Sequence, residues 1–218
     1  MDTRSGRRRF FLDRMSRRQG AGTGSNFSLL MTLPLRRIVS DSLDVILGAP
    51  YAVIGGVATR LYLPECTTLD VDVLIRLDDM PRVTAQLRER GARSMGDRPF
   101  PDSRLGLIGE TWQVTGMAPL DVIAASGFWV EDALANARVD ETGLMIAPRA
   151  TLVVLKLDAS RGIDQGDLTR LLGSANEADM VAVRTLVAQL LPEDLDDLES
   201  YVELGRLEFG GRPLPPRH

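Results

Sequence analysis

Tyr51 to Arg76 reads YAVIGGVATRLYLPECTTLDVDVLIR. The stretch predicts a short apolar strand, a Gly-Gly turn, a helical turn or two, and a second strand carrying Asp70 and Asp72. Strand neighbours at i and i+2 share one face of a sheet, so both carboxylates point the same way. They lie about 7 Å apart on that reading, and at an effective dielectric of about 20 they repel by roughly 2 kcal/mol. Leu69, Val71, Val73 and Ile75 on the opposite face explain why the strand is buried, but they give no folding reason for two anions. A divalent metal is the simplest partner that turns the repulsion into a site.

The rest of the composition narrows the chemistry. The 218 residues are 44% hydrophobic, an ordinary globular balance. No apolar run is long enough to suggest a membrane span. Cys66 is the single cysteine, so no internal disulfide forms and a reducing cytoplasm is expected. The single histidine is the last residue, His218. That excludes a Ser-His-Asp triad and His-rich zinc sites, and leaves carboxylates, a metal, Arg and Lys to carry any catalysis. Among the 26 basic residues only Lys156 is a lysine. It is singled out because an ammonium acts as a compact point charge where a guanidinium cannot.

Charge and element signals divide the chain. Residues 1–24 hold seven arginines against two aspartates, a net +5, which leaves −9 on the remainder. Residues 1–28 are therefore expected to be a disordered basic tail, either dispensable (Met15 and Met31 offer later starts) or an arm attracted to nucleic acid. Residues 29–147 are expected to form an α/β core. Its elements are a helix over 34–47, the quoted stretch, a helix over 81–90 closed by Gly91, and a loop over 94–103. Short strands at 105–108 and 111–115 follow, then a strand at 118–125 holding Asp121, a helix from Phe128 and a strand at 144–146. Residues 148–209 are expected to be a helical C-terminal part packed on that core, and 210–218 a flexible tail. The fold class is α+β, a mixed sheet flanked by helices with a helical C-terminal part.

The order of these signals resembles the nucleotidyltransferase superfamily, the polymerase-beta-like fold, and most of all the AbiEii/AbiGii toxin nucleotidyltransferases. Val53-Ile54-Gly55-Gly56 is similar to that family's strand and Gly-Gly turn, Asp70-Val71-Asp72 to its Asp-x-Asp, and Leu120-Asp121-Val122 to its third carboxylate. Lys156-Leu157-Asp158-Ala159, Arg161, Asp164 and Asp167 fit the later Lys-Leu-x-Ala block. One position departs: relatives carry an Arg shortly before the carboxylate pair, and Glu65-Cys66 stands there, with Arg60 the nearest substitute.

What the resemblance implies is Mg²⁺- or Mn²⁺-dependent transfer of an NMP from an NTP to an acceptor hydroxyl. Asp70, Asp72 and Asp121 would be the catalytic and metal-binding residues. Gly55, Gly56, Arg60 and Lys156 would bind the nucleotide, and Arg161, Asp164 and Asp167 would support them. The helix start after Gly-Gly would assist at the phosphates. The implied acceptor is RNA, such as a tRNA 3′ end, or a protein, and the chain would then be a toxin–antitoxin component with a cognate antitoxin and no membrane partner. Two alternatives stay open: a catalytically inactive nucleotide- or partner-binding module of the same fold, and a small-molecule nucleotidyltransferase of the aminoglycoside type. Asp164 and Asp167 also suit a helix N-terminus with no further role.

Overall fold

Among the described residues seven strands pair into one mixed sheet, whose central strands are rich in β-branched and aliphatic residues. Its strands are β1 (Ala52–Ile54), β2 (Val71–Arg76), β3 (Arg93–Asp97), β4 (Ile108–Gln113), β5 (Leu120–Ala125), β6 (Arg138–Val139) and β7 (Met145–Ile146). The computed structural model describes residues 43–44, 47–59, 70–115, 118–140, 143–160 and 162–209. The expected basic tail, most of the 34–47 helix, Arg60, Glu65, Cys66, Arg161 and the C-terminal tail lie outside them.

Spatial order in the sheet is β3-β4-β5-β2-β1-β7-β6. β2 runs parallel to β5 and antiparallel to β1, and β1 is parallel to β7. β2 is thus a central strand, and Val71 to Ile75 are all buried. Strands buried on both faces are continuous apolar runs, which makes the one aspartate inside β2 conspicuous. Asp70 falls one residue before the ladder begins.

The helices follow their sequence signals. α1 (Gly55–Thr59) follows β1, and α2 (Met80–Glu89) has Pro81 in its first turn and buries Val83, Thr84 and Leu87. Gly91, at φ +78°, ends α2 in the left-handed region, where a glycine carries no Cβ penalty. α3 (Phe128–Ala135) buries Trp129 and Val130, and Trp112 of β4 is fully buried, so both tryptophans are core residues. Arg76 at the end of β2 donates two hydrogen bonds to the Glu131 carboxylate, at 2.7 and 2.8 Å.

Two expected segments differ. The loop expected over 94–103 begins as the edge strand β3, exposed throughout and lacking the apolar alternation that marks a strand. The two short strands expected over 105–115 are a single strand, β4, which continues through Gly109. β6, like β3, is exposed at every residue and carries no apolar alternation.

α4 (Arg149–Ala159) is followed by α5 (Gly162–Gly173), α6 (Glu177–Leu190) and α7 (Leu195–Phe209). The chain divides within α4 into two compact units, one ending at Leu152 and carrying the sheet, the other beginning at Val153 and helical over its described residues. In the helical unit Asn176 caps α6 by accepting from Asp179 N at 2.8 Å. Leu168, Leu171, Leu172, Val183, Val187, Leu198 and Val202 are buried.

Candidate metal centre

Sheet register builds the site. In the parallel ladder Asp72 of β2 lies opposite Asp121 of β5, and in the antiparallel ladder Thr111 of β4 lies opposite Asp121. Residues directly opposite in a sheet share a face, so Asp72, Asp121 and Thr111 form a polar row across three strands. Thr111 Oγ1 donates to Asp121 Oδ1 at 2.5 Å, which fixes the carboxylate's orientation. Asp72 and Asp121 are 7% and 4% exposed. Asp70, half-buried at the mouth of β2, completes the group: one carboxylate oxygen from each of the three lies within 4.8 Å of the others.

The register also places the glycine turn. Ile54 of β1 is opposite Asp72, so the next residue, Gly55, arrives beside the Asp72 side chain. Gly55 has φ +65°, and a Cβ there would overlap Asp72 Oδ2 and lie 2.8 Å from Cγ. Only glycine meets both demands. Gly56 follows in α1, where its carbonyl accepts from Thr59 Oγ1 at 2.8 Å.

Arg98 is the residue that sequence reasoning missed. Its Nη1 lies 3.0 Å from Asp72 Oδ1 and is also paired with Asp121 Oδ2. Its backbone N–H donates to Gly109 O at 2.8 Å, and its guanidinium carbon is 5.8 Å from the centre of the Phe100 ring. A Cβ at Gly109 would meet Phe100 Cε2 at 2.9 Å and Arg98 Cβ at 3.3 Å, so the absent side chain is what lets this segment lie over the sheet. One arginine among 25, beside a proline in a loop-like stretch, carries no signal that sets it apart.

Lys156 lies in the helical unit on α4. Its Nζ donates to Asp164 Oδ1 at 3.2 Å and to Asp167 Oδ2 at 2.6 Å, both on α5, and all three residues are buried. Asp164 and Asp167 thus contact Lys156 directly, an ion pair that ties α4 to α5. Arg60 and Arg161 lie outside the described residues.

Three carboxylates with two of them buried are a hard oxygen donor set, which suits Mg²⁺ or Mn²⁺. Among the described residues no other group of His, Cys, Asp and Glu converges in this way. No helix among them is long and apolar enough to cross a membrane.

No protein-family model matches the chain, and no curated protein matches it. The chain is similar in structure to ANT(2'')-Ia. The solution structure of that antibiotic-resistance factor is 15% identical with a TM-score of 0.37, covering 72% of this chain and 83% of the other. The crystal structure of ANT(2'')-Ia in complex with adenylyl-2''-tobramycin is 16% identical with a TM-score of 0.41, covering 75% and 96%.

Proposed function

We propose that this chain is a divalent-metal-dependent nucleotidyltransferase that moves an NMP from an NTP to an acceptor hydroxyl. The observation that carries the reading is the convergence of Asp70, Asp72 and Asp121 on one sheet face, beside a glycine whose missing side chain keeps the Asp72 carboxylate in place. Phosphoryl-type transfer asks little covalent chemistry of a protein; it asks for neutralised charge and alignment.

Asp70, Asp72 and Asp121 would hold the metal, which would supply charge neutralisation at the triphosphate. In the reaction the acceptor oxygen forms a bond to the α-phosphorus as the bond from that phosphorus to the bridging oxygen of the β-phosphate breaks. The acceptor hydroxyl gives up its proton to solvent, and pyrophosphate leaves with the electron pair. Thr111 keeps Asp121 turned toward the site through its 2.5 Å hydrogen bond. Gly55 and Gly56 offer a backbone that a phosphate can approach closely. The Lys156 ammonium, in the helical unit, is matched by Asp164 and Asp167.

The acceptor stays at the level of a hydroxyl. RNA and protein follow from the toxin resemblance, which rests on the quoted motifs, and an aminoglycoside follows from the small-molecule alternative. The test offers each labelled NTP with Mg²⁺ or Mn²⁺ to total RNA, to protein and to aminoglycosides. Label in one arm, lost in Asp72→Asn, supports transfer and names the acceptor class. Nucleotide that neither binds nor transfers in any arm overturns it.

The inactive-module reading has one observation in its favour: Arg98 already sits as a counter-ion between Asp72 and Asp121.

A further inference from the structure

A guanidinium held against two buried carboxylates has two opposite meanings. It can be a permanent replacement for a metal, or a resident cation that a metal exchanges with. The surroundings of Arg98 separate these. The backbone is anchored by the bond from Arg98 N to Gly109 O, beside a glycine at which a Cβ would lie 3.3 Å from Arg98 Cβ. Arg98 therefore reaches the carboxylates with its side chain alone, and leaving them requires rotation about side-chain bonds rather than a movement of β4. Its side chain is 24% exposed, so there is a solvent side to rotate toward. Charge favours exchange: one guanidinium leaves three clustered carboxylates two charges short, whereas a divalent ion adds another unit and takes oxygen ligands directly.

We propose that Arg98 is an intramolecular counter-ion that competes with divalent metal for the Asp70–Asp72–Asp121 cluster, and that metal binds only as Arg98 releases Asp72 and Asp121. The inference rests on the metal-site reading above and adds to it an autoinhibitory contact. In the metal-free protein Arg98 relieves the repulsion between the carboxylates, and in doing so it lowers the apparent metal affinity by the free energy needed to displace it. A nucleotide arriving with its own bound metal would meet the same competitor.

The experiment titrates Mn²⁺ without nucleotide into the full chain, following free Mn²⁺ by its paramagnetic resonance, at low ionic strength. Arg98→Ala and Arg98→Gln should each bind Mn²⁺ on the order of tenfold more tightly than the unaltered chain. Arg98→Lys, which keeps the charge, should stay near the unaltered affinity. Melting curves give a second readout independent of turnover. Metal-free Arg98→Gln should melt lower than the unaltered chain, and Mn²⁺ should raise its melting temperature by a larger increment. Equal or weaker Mn²⁺ binding in both neutral variants, with binding abolished in Asp72→Asn, overturns the competition and leaves the metal site standing. No Mn²⁺ binding in any variant overturns both.

Discussion

Gly55 lies so close to Asp72 that the carboxylate fills the space a β-carbon would occupy. The same glycine is in the left-handed region at φ +65°. Two penalties therefore meet in Gly55→Ala: left-handed strain on an L-residue, about 1–2 kcal/mol, and displacement of a buried carboxylate. The variant should lose at least about that stability in chemical denaturation and bind Mn²⁺ more weakly. By contrast Gly91→Ala, where a Cβ would meet nothing within 4 Å, should show the strain alone and keep its Mn²⁺ affinity.

Asp72 and Asp121 supply one carboxylate each from neighbouring parallel strands, so neither has a substitute within its own strand. Asp72→Asn and Asp121→Asn should each lower Mn²⁺ affinity at least roughly 100-fold, since even the outer partners of metal ligands cost up to about that when removed. Calorimetric titration checks the affinity. If transfer activity is found, both variants should lose it while their circular dichroism stays that of the unaltered chain.

What the sequence made legible was the part of the site that lies on strands. Asp72 and Asp121 stand alone in apolar runs, and such an interruption of a buried strand is visible without coordinates. Gly55 was legible for the same reason, as the break between two strong strand signals. Arg98, Thr111 and Gly109 were not. They act through cross-strand neighbours, and register between β4 and β5 is written in no local pattern. Gly109 even misled, since a glycine between two short apolar segments reads as a turn, whereas here it keeps strand geometry and makes room for Phe100. Among the described residues the cation that meets the carboxylates comes from the segment joining β3 to β4.

Lys156 ties α4 to α5 through two buried aspartates. Lys156→Met would leave both carboxylates without the ammonium, and breaking a buried ion pair from one side costs about 3–5 kcal/mol. A loss of that size should appear in urea denaturation. Adding Asp164→Asn and Asp167→Asn to Lys156→Met should recover most of it.

Glu199 on α7 accepts two hydrogen bonds from Arg184 on α6, at 2.6 and 2.9 Å. Those bonds, more than the arginine's charge, hold the Glu199 carboxyl below the usual glutamate value. A carboxyl lowered in the folded state contributes stability that is complete above its unfolded value, about 4.3, and is lost as pH falls through the folded one. Arg184→Met should therefore flatten the decline of stability with falling pH below about 4.3. The contribution is small for so exposed a pair, and carboxyl chemical shifts across a pH titration read it more directly than melting.

Gly173 of α5 and Gly205 of α7 meet backbone to backbone. A Cβ on Gly173 would lie 2.7 Å from the Gly205 carbonyl carbon, and one on Gly205 would lie 2.7 Å from the Gly173 nitrogen. Atoms of the main chain cannot rotate aside as a side chain does, so the two helices must separate to admit a methyl group. Helix propensity alone favours alanine over glycine by about 1 kcal/mol, which sets the sign in open contest. Overpacking of a close contact costs typically about 1–3 kcal/mol, and the double substitution places two methyl groups in one gap. Gly173→Ala and Gly205→Ala should each lower the melting temperature, and the double variant should fall by less than the sum. Once the first methyl group has parted the helices, the second enters space already opened.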